Sequence, residues 1–202
     1  NGGSAVSAIT QGYGTSVSEP SAPTKTGYTF GGWYSDSGLT TPVSWAYTMT
    51  ASNVTFYAKW TINSYTVTFN SNGGSGSMSP QSADYNVATA LTSNSFTRTG
   101  YTFAHWNTAA NDSGTSYADG ASYPFTSSAT LYAQWTINSY TITFNSNGGS
   151  AVTAITQNYN TSVSAPSAPT KANYTFDGWY SDAGLSSAVS SAYPMTASNV
   201  TF

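Results

Sequence analysis

Apolar and polar residues alternate with a period of two in short runs, and the runs recur along the chain. Over residues 65–70, Tyr65, Val67 and Phe69 point one way and Thr66, Thr68 and Asn70 the other. Over residues 53–60, Val54, Phe56, Ala58 and Trp60 point inward, with Thr55, Tyr57 and Lys59 outward. Alternation carried by β-branched and aromatic residues predicts half-buried strands. Between strands stand turn signals. Asn72-Gly73-Gly74 asks for positive φ, which Asn and Gly tolerate, and so joins a first strand to a second, "AVTAITQNYN" in the last part of the chain. Residues 18–25 and 164–171 carry two prolines each and predict extended connectors. No amphipathic helix is predicted; the best short candidate, residues 35–39, allows one turn.

The same runs define an internal repeat. The string "NGGS" stands at residues 1, 72 and 147. Residues 1–56 align with 147–202, and 13 of the 56 pairs differ. The middle copy diverges more but keeps "GYTFAHW" beside "GYTFGGW" and "NYTFDGW", and "ATLYAQW" beside "NVTFYAKW". Three units follow: 1–60, lacking its first strand; 65–135, complete; and 140–202, lacking its last strand. The expectation is a window on a longer array. The linkers, 61–64 and 136–139, read "TINS". Four residues reach at most about 14 Å, so a semi-rigid string of touching neighbours is predicted.

The inward positions give a candidate core. In unit 1 it is Tyr28, Phe30, Trp33, Phe56 and Trp60. In unit 2 it is Val67, Phe69, Tyr101, Phe103, Trp106, Leu131 and Trp135. In unit 3 it is Ile142, Phe144, Tyr174, Phe176 and Trp179. Counting by two from Phe30 puts Trp33 on the opposite face unless Gly31-Gly32 bulges. With a bulge the tryptophan is core; without one it is an exposed platform for sugars. Its fixed place in a seven-residue frame favours the core, while Tyr34 and Tyr180 are expected at the surface.

These residues together resemble the Listeria–Bacteroides repeat family, also described as internalin B-repeat-like domains. The middle unit carries the likeness nearly end to end in "YTVTFNSNGGSGSMSPQ", "LTSNSFTRTGYTFAHWNT", "DSGTSYADGASYPF" and "TLYAQW". The outer units resemble a sister version at residues 21–42 and 167–188. The resemblance implies a mostly β chain of tandem, small β-grasp-like units in large secreted or surface-attached bacterial proteins, with no enzymatic activity and no cofactor. A β-grasp carries a helix after strand two. Here the Pro-rich connector stands there, so that helix is expected to be short or absent.

Composition narrows the function classes. Asp, Glu, Lys and Arg make up 5% of the 202 residues, against about 25% in an ordinary soluble domain. Net charge is −3, and the four cations (Lys25, Lys59, Arg98, Lys171) are scattered. No broad basic surface is offered to nucleic acid or anionic lipid. Aromatics at 15% give bulk for several small cores. No apolar run approaches the roughly 20 residues of a membrane span. Without an initiator Met or signal peptide, a mature chain or fragment is expected. The lack of cysteine excludes disulfides, thiol catalysis and thiolate metal sites.

Candidate chemistry is thin. His105 is the only histidine, and the sequence suggests no partner to orient it as a base. Asp36 and Asp182 occupy one repeat position, in "YSDSGL" and "YSDAGL", and read as turn residues. Asp112 and Asp119 flank "SGTSYA" without the alternating acids of a Ca²⁺ loop. "GGSGS" lacks the lysine of a phosphate-binding loop. No catalytic, metal or cofactor residue is assigned. The expected role is an extracellular or cell-surface stalk or fibre whose partners are neighbouring repeats or other copies of itself, with assembly into filaments as the stronger form. The alternative is an adhesin module for glycans or host surface proteins.

Overall fold

The computed structural model describes residues Asn1–Phe202, in sixteen short strands and no helix. Backbone contacts divide it into two compact units. One comprises Asn1–Thr68, Pro80–Leu91 and Ala121–Ala129; the other comprises Phe69–Ser79, Thr92–Gly120 and Thr130–Phe202. The division runs through the second repeat.

In the first unit, Tyr28–Tyr34 pairs antiparallel with Tyr57–Ile62. Phe30 faces Trp60 and Trp33 faces Ala58, so two residues, Gly31 and Gly32, bulge opposite Lys59. The bulge turns Trp33 to the side of Phe30, their rings 5.4 Å apart. Ser64–Asn70 pairs with Gln81–Asp84, and Thr89–Ala90 with Ser122–Tyr123. Val67, Leu91, Tyr123 and Phe125 are buried here.

In the second unit, Tyr101–Asn107 lies between Ala129–Ile137 and Ser116–Tyr117. A register shift at Gln134/Trp135 skips Ala104 and does for Trp106 what the glycine pair does for Trp33. Trp106 is fully buried among Phe69, Phe96 and Phe103, with ring centroids 4.9, 6.1 and 5.0 Å away. In the third repeat, Ser139–Thr143 pairs antiparallel with Ile155–Asn158 and parallel with Val200–Thr201. Its core is Ile142, Val163, Trp179, Met195 and Phe202, with Phe144 and Tyr193 packed against it. Overlaying the repeats gives the order second strand, opening strand, closing strand, Trp-motif strand.

The NGGS strings are turns, with Asn72 at φ 46° and Gly73 at φ 88°, and Asn147 and Gly148 at 49° and 82°. Their serines hold the Pro-rich connectors. Ser4, Ser75 and Ser150 donate backbone N–H groups to Thr24, Thr97 and Thr170 carbonyls at 2.7–2.8 Å. Those connectors run where a β-grasp would place its helix.

Several expected core residues are not covered. Tyr174 is 71% exposed and Phe176 37%. Residues 174–179 form no strand, whereas their counterparts at Tyr28–Tyr34 and Tyr101–Asn107 do. Those two strands pair with Tyr57–Ile62 and Ala129–Ile137, and residues 175–179 pair with no strand. Val54 of the first repeat, expected to face inward, is 37% exposed, and the strand begins only at Tyr57. Its counterpart Val200 lies in a strand and pairs with Ile142. Tyr28, Phe30, Phe56, Trp60, Phe69, Tyr101, Phe103, Trp135 and Phe144 are half-buried. Leu131, Val67 and Ile142 are buried.

Candidate functional site

The most regular polar arrangement lies where one repeat meets the next. At the first joint, the Asn63 backbone N–H donates to the Gly27 carbonyl at 2.9 Å, and the Tyr85 N–H donates to the Asn63 carbonyl at 2.7 Å. Thr29 Oγ1 donates to Asn63 Oδ1 at 2.6 Å. The Tyr85 ring rests on Gly27, where a Cβ would fall inside the ring, and Gly27 has φ 76°. Tyr28 and Tyr65 meet the same ring edge-on at 6.4 and 6.2 Å.

The second joint repeats the first. Asn138 donates to the Gly100 carbonyl at 2.9 Å, and Tyr159 donates to the Asn138 carbonyl at 2.8 Å. Thr102 Oγ1 donates to Asn138 Oδ1 at 2.7 Å. The Tyr159 ring covers Gly100 at φ 75° and meets Tyr101 edge-on at 6.3 Å. Ser64 Oγ donates to Asp84 at 2.5 Å, and Ser139 Oγ to Asn158 at 2.8 Å. Each "TINS" linker is therefore tied by its asparagine to both neighbours. Three hydrogen bonds at about 1 kcal/mol each, with an edge-on tyrosine contact, join the repeats at each linker. Of the joint residues, Tyr28 and Tyr101 were expected in the core, while Asn63, Asn138, Tyr85 and Tyr159 were not singled out. Their signal was tyrosine recurring at 13, 85 and 159, two residues before which nothing alternates strongly.

All four cations lie over tyrosine rings. Lys25, Arg98 and Lys171 sit 4.1, 3.9 and 4.6 Å from Tyr28, Tyr101 and Tyr174, and Lys59 sits 4.8 Å from Tyr34. Each charge is thus placed by a π face rather than gathered into a basic patch.

Asp36 and Asp182 each close a loop. Asp36 accepts the Thr40 and Thr41 backbone N–H groups at 2.8 and 2.9 Å and the Thr40 hydroxyl at 2.8 Å. Asp182 does the same with Ser186 and Ser187. The Thr40 backbone bond, then its hydroxyl, holds the Asp36 carboxyl down at about 2 from an ordinary 3.8. The Ser186 bonds lower Asp182 in the same way, and the Asp177 hydrogen bond raises the Tyr180 phenol. Because the folded value of Asp36 is depressed, its stabilisation is whole above pH 3.8 and fades as pH falls through about 2. A carboxyl ¹³C titration should place the Asp36 midpoint near 2, and a midpoint near 4 would show the loop cage is not formed in solution.

In the second repeat, Asn107 replaces that loop's tyrosine and is the one buried polar side chain. Its Oδ1 accepts from the Ala109 and Gly114 backbone, and its Nδ2 donates to Asp112 and Ser116. His105 Nε2 stands 2.8 Å from Asp112 Oδ1, a partner the sequence did not suggest. Neither side chain is enclosed, at 29% and 49% exposure, and no second carboxylate joins them. Asp119 is elsewhere, accepting the Asn94 N–H at 2.8 Å. Trp33, Trp106 and Trp179 are 9%, 0% and 8% exposed, which leaves no sugar platform at that position.

These features define a β-rich tandem-repeat protein whose most repeated geometry is repeat against repeat. The Listeria-Bacteroides repeat domain matches at residues 1–59, 65–134 and 140–202, and the chain belongs to that family. A protein of Evansella cellulosilytica described as a Gly-rich membrane protein is 37% identical over 195 residues, covering 93% of this chain and 21% of the relative. A second membrane protein from that organism is 36% identical over 184 residues, covering 90% and 27%. Internalin H of Listeria monocytogenes is 37% identical over 139 residues, covering 64% and 23%. The chain thus spans about a quarter or less of the length of these relatives. No solved structure matches it.

Proposed function

We propose that this chain is a non-enzymatic spacer segment of a bacterial surface protein, a stalk or fibre built from stiffly joined β repeats outside the cell. The observation that supports it is the pair of joints. The same asparagine clamp and the same tyrosine on the same glycine recur at both linkers. A flexible tether would need none of these bonds. Low charge and rings committed to cores and joints also fit a spacer better than a binding face. The surface setting rests on the company of relatives described as membrane proteins and an internalin.

Glycan arrays and host-cell binding with the folded chain separate this reading from an adhesin. The expected result is no saturable binding from a chain whose melting is cooperative. Saturable binding to a glycan or host protein would overturn it. Electron microscopy of the purified chain addresses the filament form, and single dispersed particles under all conditions would remove it.

A further inference from the structure

Tyrosines stand in pairs across the two linkers, one from each side. Tyr28 meets Tyr85 with ring centroids 6.4 Å apart and planes at 70°, and Tyr101 meets Tyr159 at 6.3 Å and 76°. Each pair is held from several sides. Lys25 lies 4.1 Å over the Tyr28 ring, and Arg98 lies 3.9 Å over the Tyr101 ring. Tyr85 and Tyr159 rest on Gly27 and Gly100, and their backbone N–H groups donate to the Asn63 and Asn138 carbonyls. All these rings are half-buried, within reach of an oxidant in solution. The chain has no cysteine, so no disulfide ties one repeat to the next. Phenol–phenol coupling needs two rings held this close, because fixed neighbours react at an effective concentration far above any in solution.

We propose that the pairs Tyr28 with Tyr85 and Tyr101 with Tyr159 are oxidative cross-linking sites, each forming one dityrosine bond that locks its joint covalently. The oxidant is hydrogen peroxide acting through a haem peroxidase. Each phenol of a pair gives up one electron and its O–H proton. The two phenoxyl radicals join Cε to Cε, and the ring hydrogens at the new bond pass to the phenol oxygens. The peroxide takes up the two electrons and two protons and leaves as two waters, so each bond removes two hydrogen atoms from the chain. Both bonds span a linker, since Tyr28 belongs to the first repeat, Tyr85 and Tyr101 to the second, and Tyr159 to the third. Tyr65 also meets Tyr85, at 6.2 Å, but both belong to the second repeat. Tyr28 is the better placed partner, because Lys25 clamps its ring and the same clamped pairing recurs at the second joint. The proposal rests on the joint contacts and not on the spacer role, so glycan binding by the chain would leave it standing.

The test treats the dilute chain with a haem peroxidase and hydrogen peroxide and follows dityrosine fluorescence and intact mass. Full reaction should remove four hydrogen atoms from a chain that still runs as a monomer on a denaturing gel. Cleavage after Lys25, Lys59, Arg98 and Lys171 then locates the bonds. The first should join peptide 26–59 to peptide 60–98, and the second should close a loop inside 99–171 with its ends at Tyr101 and Tyr159. Tyr85→Phe and Tyr159→Phe keep a ring over the glycine and lose the phenol oxygen. Each should lose half of the dityrosine, and the double variant nearly all of it. No dityrosine in the unaltered chain, undiminished dityrosine in the double variant, a first bond confined to 60–98, or coupling only between chains overturns the proposal.

Discussion

Trp106→Ala is expected to unfold the second repeat at ordinary temperature. The indole is fully buried and in contact with three phenylalanine rings. Truncating a buried aromatic costs about 3–5 kcal/mol, against a total of about 5–15 kcal/mol for a whole domain. Divided among small cores, that total leaves the second repeat little reserve. Trp106→Phe should be far milder. It keeps a ring in place, and it removes an indole N–H that is buried without a partner, as it is in Trp33 and Trp179. Chemical denaturation followed by near-ultraviolet circular dichroism checks both. Equal losses for Ala and Phe would mean that the Trp106 packing is not what holds the repeat.

Gly100→Ala is expected to open the second joint while leaving the repeat cores folded. Alanine at φ 75° is strained by about 1–3 kcal/mol, and its Cβ would enter the Tyr159 ring. Gly120→Ala is the matched control, since φ there is 67° and no atom lies within 4 Å of the added carbon. Both variants carry the backbone strain, and only Gly100→Ala carries the clash. Amide exchange at Asn138 and Tyr159 should quicken in Gly100→Ala alone. Pairing it with Tyr159→Ala should relieve the clash, so the double variant loses less than the sum of the two. Strict additivity would show that the ring does not rest on this glycine in solution.

Much of the fold was legible because period-two alternation, turn residues and repetition point to the same answer. The tryptophan motif shows how far this reached. Alternation alone put Trp33 on the wrong face, and the Gly31-Gly32 pair was the sequence signal for the bulge that turns it inward. The misplacements have a different origin. Val54, Tyr174 and Phe176 carry the pattern of buried strand residues, yet burial belongs to a pair of strands and not to one of them. A pattern read along the chain does not register whether its partner strand is in place.

The joints were harder to read for a related reason. Linker length predicted contact between neighbours but not its chemistry. Tyr85 and Tyr159 reach back across a linker to glycines 58 and 59 residues earlier, and no local period encodes such a pairing. The His105–Asp112 pair was hidden similarly, because it depends on a loop that Asn107 folds from beneath.

Spin-label distance measurements across one joint at a time test the central claim most directly. The chain has no cysteine, so paired substitutions are labelled cleanly. Exposed Ser37 and Ala88 bracket the first joint, and exposed Ala118 and Ala197 the second. Each pair should give a single narrow distance distribution, which broadens when Tyr85 or Tyr159, respectively, is replaced by alanine. A distribution already broad in the unaltered joint, and unchanged by removing its tyrosine, would contradict a stiffly joined array.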